Sequence, residues 1–245
     1  MGLRRPFRKM YLHYKLRSKT AEEIFTDAYE INREKKKQGK LASVSGVGSD
    51  ARQTGIIARE IPVLFNEFNV STVLDIPCGD FNWMKDVDLG GVDYIGADIV
   101  GELIRENSEK YEKQGIRFQK LNLITDKLPK VDLVFCRDCL VHLSFSDIFL
   151  ALNNVCDSES RYLLTTTFQR RTGNRDIATG LWRALNLQLA PFSLPKPLEI
   201  INEATTNADG SYRNETMELG NISDIQDKTL GLWKISDIRE SLKHR

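Results

Sequence analysis

The stretch VLDIPCGDFNW, residues 73–83, decides how the rest of the chain is read. It continues STVLDI (71–76), a short apolar run of β-formers with the pattern of a strand buried on both faces. The run closes on an acid, Asp75, and passes at once into a tight turn of small residues, Pro77, Cys78 and Gly79. Such a turn lets the backbone approach a ligand closely. In an open parallel sheet the ligand sits outside the carboxyl ends of the strands, at the switch point beside the first strand. The dinucleotide pattern GxGxxG is absent, since only Gly79 lies in this turn, and no GxxxxGK[ST] occurs. The turn presents a carboxylate instead, which suits a cationic amino-acid ligand better than a pyrophosphate.

Beyond this turn the chain alternates. VDYIGADI (92–99) repeats the strand pattern and is followed by GELIRENSEKYEKQG, a helical stretch stopped by Gly115. IRFQKLNL (116–123), VDLVFCRD (131–138) and RYLLTTTF (161–168) complete five strand-like runs, and SDIFLALNNVCD (146–157) reads as a helix capped by Ser146. Such an order predicts a parallel α/β sheet. Upstream, SDARQTGIIAREIPVLFNEF (49–68) reads as one capped amphipathic helix. Downstream, 169–197 is rich in Pro, Asn and Arg without clear periodicity, a candidate lid. ETMELG (215–220) and GLWKISD (231–237) are expected to pair as an antiparallel hairpin at the sheet edge. The second strand ends in GADIV, which puts Asp98 where a carboxylate can accept two hydrogen bonds from a ribose diol.

With those residues in place the chain resembles a class I S-adenosylmethionine-dependent methyltransferase, in Asp75 through Gly79, Asp98, Asn122 and CRDCLVHLS (136–144). SVSGVGS (43–49), PCGDFNWM, DYIGADIV, RDCLVHLS and LLTTTF resemble more narrowly a bacterial group associated with polysaccharide biosynthesis, over roughly residues 43–245. The resemblance implies a Rossmann-like, mostly parallel sheet with an antiparallel C-terminal edge hairpin and an N-terminal helical cap. Its domains would be a basic arm or helix (1–40), a cap loop and helix (41–68), and a methyltransferase domain (69–245) with an acceptor-side insertion at about 169–203. It implies that Asp75, Pro77, Cys78 and Gly79 cradle the methionine end of S-adenosylmethionine and that Asp98 binds ribose. Ile99 and Leu123 would flank the adenine, Asn122 would take the place of the usual acid at the adenine amine, and Arg137 would complete the cofactor set. Two positions depart from the broad family: Pro77 and Phe81 stand where it carries glycine.

Methyl transfer from a sulfonium is an in-line displacement, so the protein mainly orients the acceptor and removes its proton. The run CRDCLVHLS delivers Arg137, Asp138 and His142 to the ligand end of the sheet, and a histidine there is a reasonable base near neutral pH. A packing or helix-capping role for His142 stays open. Asp138 is read three ways: orienting His142, contacting the cofactor amine, or acting as the base. Ser45, Gly46 and Gly48 would give backbone contacts from a loop over the cofactor. Trp182, Arg183 and Phe192 are the expected acceptor contacts, stacking on a sugar face or pairing with a phosphate. No metal is expected: Cys136, Cys139, His142 and Cys156 are nominal zinc ligands, but Cys136 falls inside a strand, which cannot close a knuckle turn.

The composition is ordinary for a globular chain of 245 residues, 41% hydrophobic and 28% charged, with a net charge of +1. That balance excludes a polycation built for nucleic acid and an acidic disordered chain. It hides an asymmetry, because residues 1–40 hold 12 Lys and Arg against 5 Asp and Glu. The first twenty residues carry no acid and interleave Phe7, Tyr11 and Tyr14 with the bases, which predicts either a loose terminus or a segment that touches anionic lipid or a polyanionic acceptor. No signal peptide, myristoylation pattern, spanning helix or disulfide framework is apparent, so the expectation is a cytoplasmic protein at most peripheral to the membrane. The expected function is methylation of a sugar or glycan oxygen in cell-surface polysaccharide biosynthesis. A small metabolite or lipid head group as acceptor, or a catalytically idle cofactor-binding partner protein, are the alternatives.

Overall fold

Apolar β-branched runs bounded by turn residues become strands when both faces can be covered, and all five such runs do so here. The computed structural model describes Leu16, residues 18–203 and residues 227–243. Its strands are β1 (Thr72–Asp75), β2 (Asp93–Asp98), β3 (Ile116–Lys120), β4 (Leu133–Cys136), β5 (Tyr162–Phe168), β6 (Glu199–Asn202) and β7 (Lys228–Lys234). They form one seven-stranded sheet in the order β3-β2-β1-β4-β5-β7-β6. β1 pairs parallel with β2 and β4, β2 with β3, and β4 with β5, whereas β7 runs antiparallel to both β5 and β6. The chain moves outward from β1 to β3 and then returns to the other side of β1 as β4. The switch point therefore lies between β1 and β4, where the carboxyl ends of the strands open a crevice.

Successive strand residues face opposite layers, as the two-residue period requires. Val73, Tyr94, Leu133 and Phe135 enter one core with Ile57, Ile61, Leu64 and Phe65 of α3 (Ile57–Glu67). Leu74, Ile95, Val134 and Cys136 enter the other with Ile148, Leu152 and Val155 of α5 (Phe145–Asp157) and Ile238 of α6 (Ile235–Lys243). Among the described residues no helix is long and apolar enough to cross a membrane, and no cluster of three or more His, Cys, Asp or Glu is placed to hold a metal ion.

Several local expectations need correction. Residues 49–68 are not one helix: α2 (Ala51–Thr54) ends before Gly55 and α3 starts afresh at Ile57. Helix α4 (Gly101–Tyr111) stops four residues before Gly115, which sits at φ 79° in the following turn. The cap of α5 is Ser144, whose side chain accepts from the Asp147 N–H, and Ser146 lies inside the helix. The edge partner of β7 is β6, from the end of the 169–203 segment, while ETMELG lies outside the described residues. The rest of GLWKISD turns helical at Ile235.

The N-terminal residues hold the main surprise. Helix α1 (Ala21–Lys37) opens with a reciprocal capping box between Thr20 and Glu23. It lies across the ligand end of the sheet: the Tyr29 hydroxyl donates to Glu106 of α4, and the Asn32 amide donates to the Val44 carbonyl. Most of the basic stretch before it lies outside the described residues.

Candidate active site

At the switch point a cavity of about 550 Å³ opens between the strand ends and helix α1, within the range of sites that enclose a small ligand. Its floor is the turn after β1. The Cys78 N–H donates to the Ala97 carbonyl of β2 (2.7 Å), the Gly79 N–H donates to Asp98 (3.3 Å), and the Asn107 amide of α4 donates to the Gly79 carbonyl (2.7 Å). Gly79 is at φ 56°, and a Cβ there would lie 2.2 Å from the Ser45 Oγ. The departure at Phe81 is accommodated in the same turn. Phe81 holds φ 53°, which costs an ordinary residue on the order of 1–3 kcal/mol. Its ring is clasped by Tyr94, Tyr111 and Phe118 at centroid distances of 5.2–5.3 Å.

Two carboxylates face this cavity from dry surroundings. Asp75 accepts from the Tyr94 hydroxyl, and burial pushes its pKa up to about 7 against the opposing pull of Tyr94 and Arg137. Asp98 accepts from the Gly79 and Val100 N–H groups, yet burial still raises it to about 6. Each keeps lone pairs for a ligand. Ile99, Asn122 and Leu123 line the same wall. Asn122 spends one lone pair of its side-chain oxygen on the Ile124 N–H (2.9 Å), which fixes the side chain at the cavity edge.

The end of β4 supplies the opposite wall. Asp138, at φ 54°, accepts from Lys228 (2.5 Å) and pairs with Arg137 (3.3 Å). Arg137 in turn pairs with Glu203 (2.6 Å), whose side chain is fully buried, and lies over the Trp83 ring. Although burial opposes it, Lys228 and Arg137 hold Asp138 down at about 2. So paired, Asp138 stays ionised and is a weak base. His142, half-buried on the cavity wall, has Nδ1 3.1 Å from the Leu181 carbonyl. A carbonyl only accepts, so Nδ1 carries the proton and Nε2 keeps its lone pair. Burial lowers the His142 pKa despite the nearby Asp138, which keeps the ring neutral at pH 7.

The residues expected from the turn after β1, from Asp98 to Leu123 and from Arg137 to His142 therefore meet around one cavity. Four others do not line it. Gly46 only leads into the single turn Val47–Ser49, while Gly48 reaches the wall. Ser45 lines the cavity, with its hydroxyl tied to Asp80. Arg183 and Phe192 are 1% and 0% exposed, so as acceptor contacts they are corrected. Phe192 packs on Phe145 and Phe149, and Arg183 is consumed by backbone carbonyls. Trp182 packs edge-on against Phe168, with its ring off the cavity wall. The loop 169–203 thus contributes to the core through its own Leu185, Leu187 and Leu194. Sequence reasoning allowed a helix within residues 1–40 but missed its place at the site, where Ile24, Phe25, Tyr29 and Asn32 of α1 line the cavity. It also missed Asp80, which gathers Ser43, Val44, Ser45 and Lys36 onto the turn. The capping box and the helical spacing of Ile24, Phe25 and Ala28 were the available signal for the helix.

No protein-family model matches the chain, and no curated protein matches it. Among solved structures it is similar to the methyltransferase domain of bacterial CtHen1-CN, covering 74% of this chain and 99% of that domain at 9% identity, with a TM-score of 0.52. It is also similar to TehB from Haemophilus influenzae (14% identity, 72% of this chain, 61% of that one, TM-score 0.49). A third is human N-acetylserotonin methyltransferase, solved in complex with SAM (18% identity, 64% of this chain, TM-score 0.47); this chain spans 45% of its length. The likeness to the first shows the fold alone, a Rossmann-like, mostly parallel sheet with an antiparallel edge.

Proposed function

We propose that the chain is an S-adenosylmethionine-dependent methyltransferase that methylates a hydroxyl of a small-molecule acceptor. The observation that carries this reading is one cavity in which two desolvated carboxylates, a glycine turn and a neutral histidine of fixed tautomer converge. The residues fit the cofactor. A buried carboxylate pushed up to about 7 is completed by a cationic ligand group, which Asp75 would find in the ammonium or sulfonium of the methionine end. Pro77, Cys78 and Gly79 let the backbone pass close to that end, and Arg137 is the complement of its carboxylate. Asp98 retains acceptor capacity for a ribose diol, Ile99 and Leu123 give apolar flanks to a base, and Asn122 an amide at its rim.

When bound, S-adenosylmethionine would supply a methyl carbon for in-line transfer to an oxygen, the C–S bond breaking as C–O forms and the sulfur leaving as a neutral thioether. His142 Nε2 takes the proton of the acceptor hydroxyl as that oxygen attacks, and the ring becomes imidazolium. The Leu181 carbonyl holds Nδ1–H and orients the ring throughout. Asp138, ionised between Lys228 and Arg137, offsets the charge that His142 gains. Helix α1 covers the cavity and keeps bulk water from competing as acceptor.

The group that enters is uncharged. Among the described residues the cations lining the cavity are Lys19, paired with Asp27, and Arg137, which is assigned above to the cofactor carboxylate, so neither is left for a charged acceptor. A neutral sugar or glycan end, as the resemblance implies for polysaccharide biosynthesis, meets that condition better than a sugar phosphate. Peripheral contact of residues 1–20 with anionic membrane belongs to the same proposal. Its check is salt-sensitive liposome binding that disappears when those residues are deleted. The functional test incubates the full chain and His142→Gln with methyl-labelled S-adenosylmethionine and a panel of neutral sugars, glycan ends and phenols. Transfer by the wild type and a loss of about 10²–10⁴-fold in the variant are expected. Cofactor binding without transfer to any acceptor would favour an idle binding protein, and full activity of His142→Gln would remove the base.

A further inference from the structure

Arg183 does not line the cavity, yet the polar groups of its segment converge on the turn that carries His142. That single turn, Leu140–His142, follows β4 and leads into α5. The Gly180 N–H donates to the His142 carbonyl (2.8 Å), and the Arg183 N–H donates to the Val141 carbonyl (3.1 Å). The Arg183 guanidinium then fans across the same turn: Nη1 donates to the Leu140 (3.0 Å) and Val141 (2.8 Å) carbonyls, and Nη2 to Leu143 (2.8 Å). Its Nε donates to the Arg175 carbonyl (3.2 Å), and the cation lies over the Phe145 ring. Between these points the Leu181 carbonyl accepts Nδ1–H of His142. Gly180 itself is pinned at φ 94° under Ile24 of α1, where a Cβ would come within 2.5 Å of the isoleucine.

Burying a cation costs several kcal/mol unless its donors are satisfied. A lysine has no planar fork to reach the Leu140, Val141 and Leu143 carbonyls together, and an apolar side chain would take its donors away from all three. The arrangement is explained if the position of the turn matters. We propose that Arg183 is the positioning residue of His142: by locking residues 140–143 to the 180–183 strap it holds the imidazole with Nδ1 on the Leu181 carbonyl and Nε2 free. This rests on the reading of His142 as the base. The groups facing the ring pull in both directions. Asp138 and the Leu181 carbonyl favour imidazolium, while burial, the Arg183 charge and the Lys228 charge oppose it, with burial the largest.

The test needs no acceptor. Histidine ¹⁵N NMR of the full chain, assigned with His142→Gln against His13 and His244, reads tautomer and titration midpoint in wild type, Arg183→Lys and Arg183→Met. Calorimetry with S-adenosylmethionine serves as the check on folding. The wild type is expected to show the Nδ1–H tautomer with a midpoint below 6.5. Both variants are expected to show mixed tautomers with cofactor affinity unchanged. Arg183→Met, which also removes the charge, should raise the midpoint. A cofactor-binding variant that keeps a single Nδ1–H tautomer and the wild-type midpoint overturns the proposal. So does an Nε2–H tautomer in the wild type, which decides the matter if neither variant folds. Full methyl transfer by His142→Gln would instead sink the base reading while leaving the NMR outcome standing.

Discussion

The two sides of the cavity are built in opposite ways. On the β1–β2 side, side chains at strand ends face the ligand space, and Asp75 and Asp98 stay desolvated with acceptor capacity to spare. On the side of residues 169–203, Phe192 and Arg183 turn inward. Phe192 fills the core, and Arg183 spends its donors on backbone carbonyls. The first side is arranged to hold something, the second to hold the first in place. Polar and aromatic residues in an irregular segment therefore do not by themselves mark a binding surface. What separates the two cases is whether their hydrogen bonds are already satisfied within the fold.

Phe192→Ala should break the comparison hardest if it is wrong. As a core residue it should lose about 3–5 kcal/mol of stability by chemical denaturation. Cofactor affinity per folded molecule should be unchanged. A stable variant that instead lost acceptor binding would return Phe192 to the site.

The carboxylate side should show itself through pH. Asp75 and Asp98 have folded pKa values raised to about 7 and about 6, and a cationic ligand prefers their ionised forms. Affinity for S-adenosylmethionine should therefore be full above pH 8 and fall about tenfold by pH 6, chiefly as Asp75 protonates. The same raised values imply that the ligand-free protein loses stability as pH rises from about 4 through 7, because folding favours the protonated acids there. Calorimetry across that range, with Asp75→Asn showing a flatter profile, checks the sign. A smaller effect is expected at Asp80, which ties Ser43, Val44, Ser45 and Lys36 to the turn. Asp80→Ala should cost about 1–2 kcal/mol and speed hydrogen exchange in α1 and residues 43–49. Unchanged exchange there would mean that α1 is held by other contacts.

The strands and the cofactor side were legible because each carries its own local signal. Apolar runs such as VLDI and YIGAD have nowhere to go except a covered sheet, and an acid at a strand end next to glycine has a location set by chain order. Arg183 was misread for a physical reason. The burial of a guanidinium depends on three carbonyls forty residues away, and carbonyls are the same in every sequence. Helix α1 was legible as a helix from Thr20 to Glu23. Its place over the cavity rests on long-range contacts from Tyr29 and Asn32 that no local pattern encodes. The left-handed Phe81 was likewise invisible until Tyr94, Tyr111 and Phe118 were seen around it.

The central claim is that the crevice at the β1–β4 switch point is a cofactor site, and calorimetry of the full chain with S-adenosylmethionine at pH 8 tests it most directly. The wild type is expected to bind one equivalent. Asp98→Ala should bind about a hundredfold more weakly, the loss of hydrogen bonds to a charged acceptor being about 1.5–3 kcal/mol. No binding by the wild type, or equal binding by both, would contradict the account.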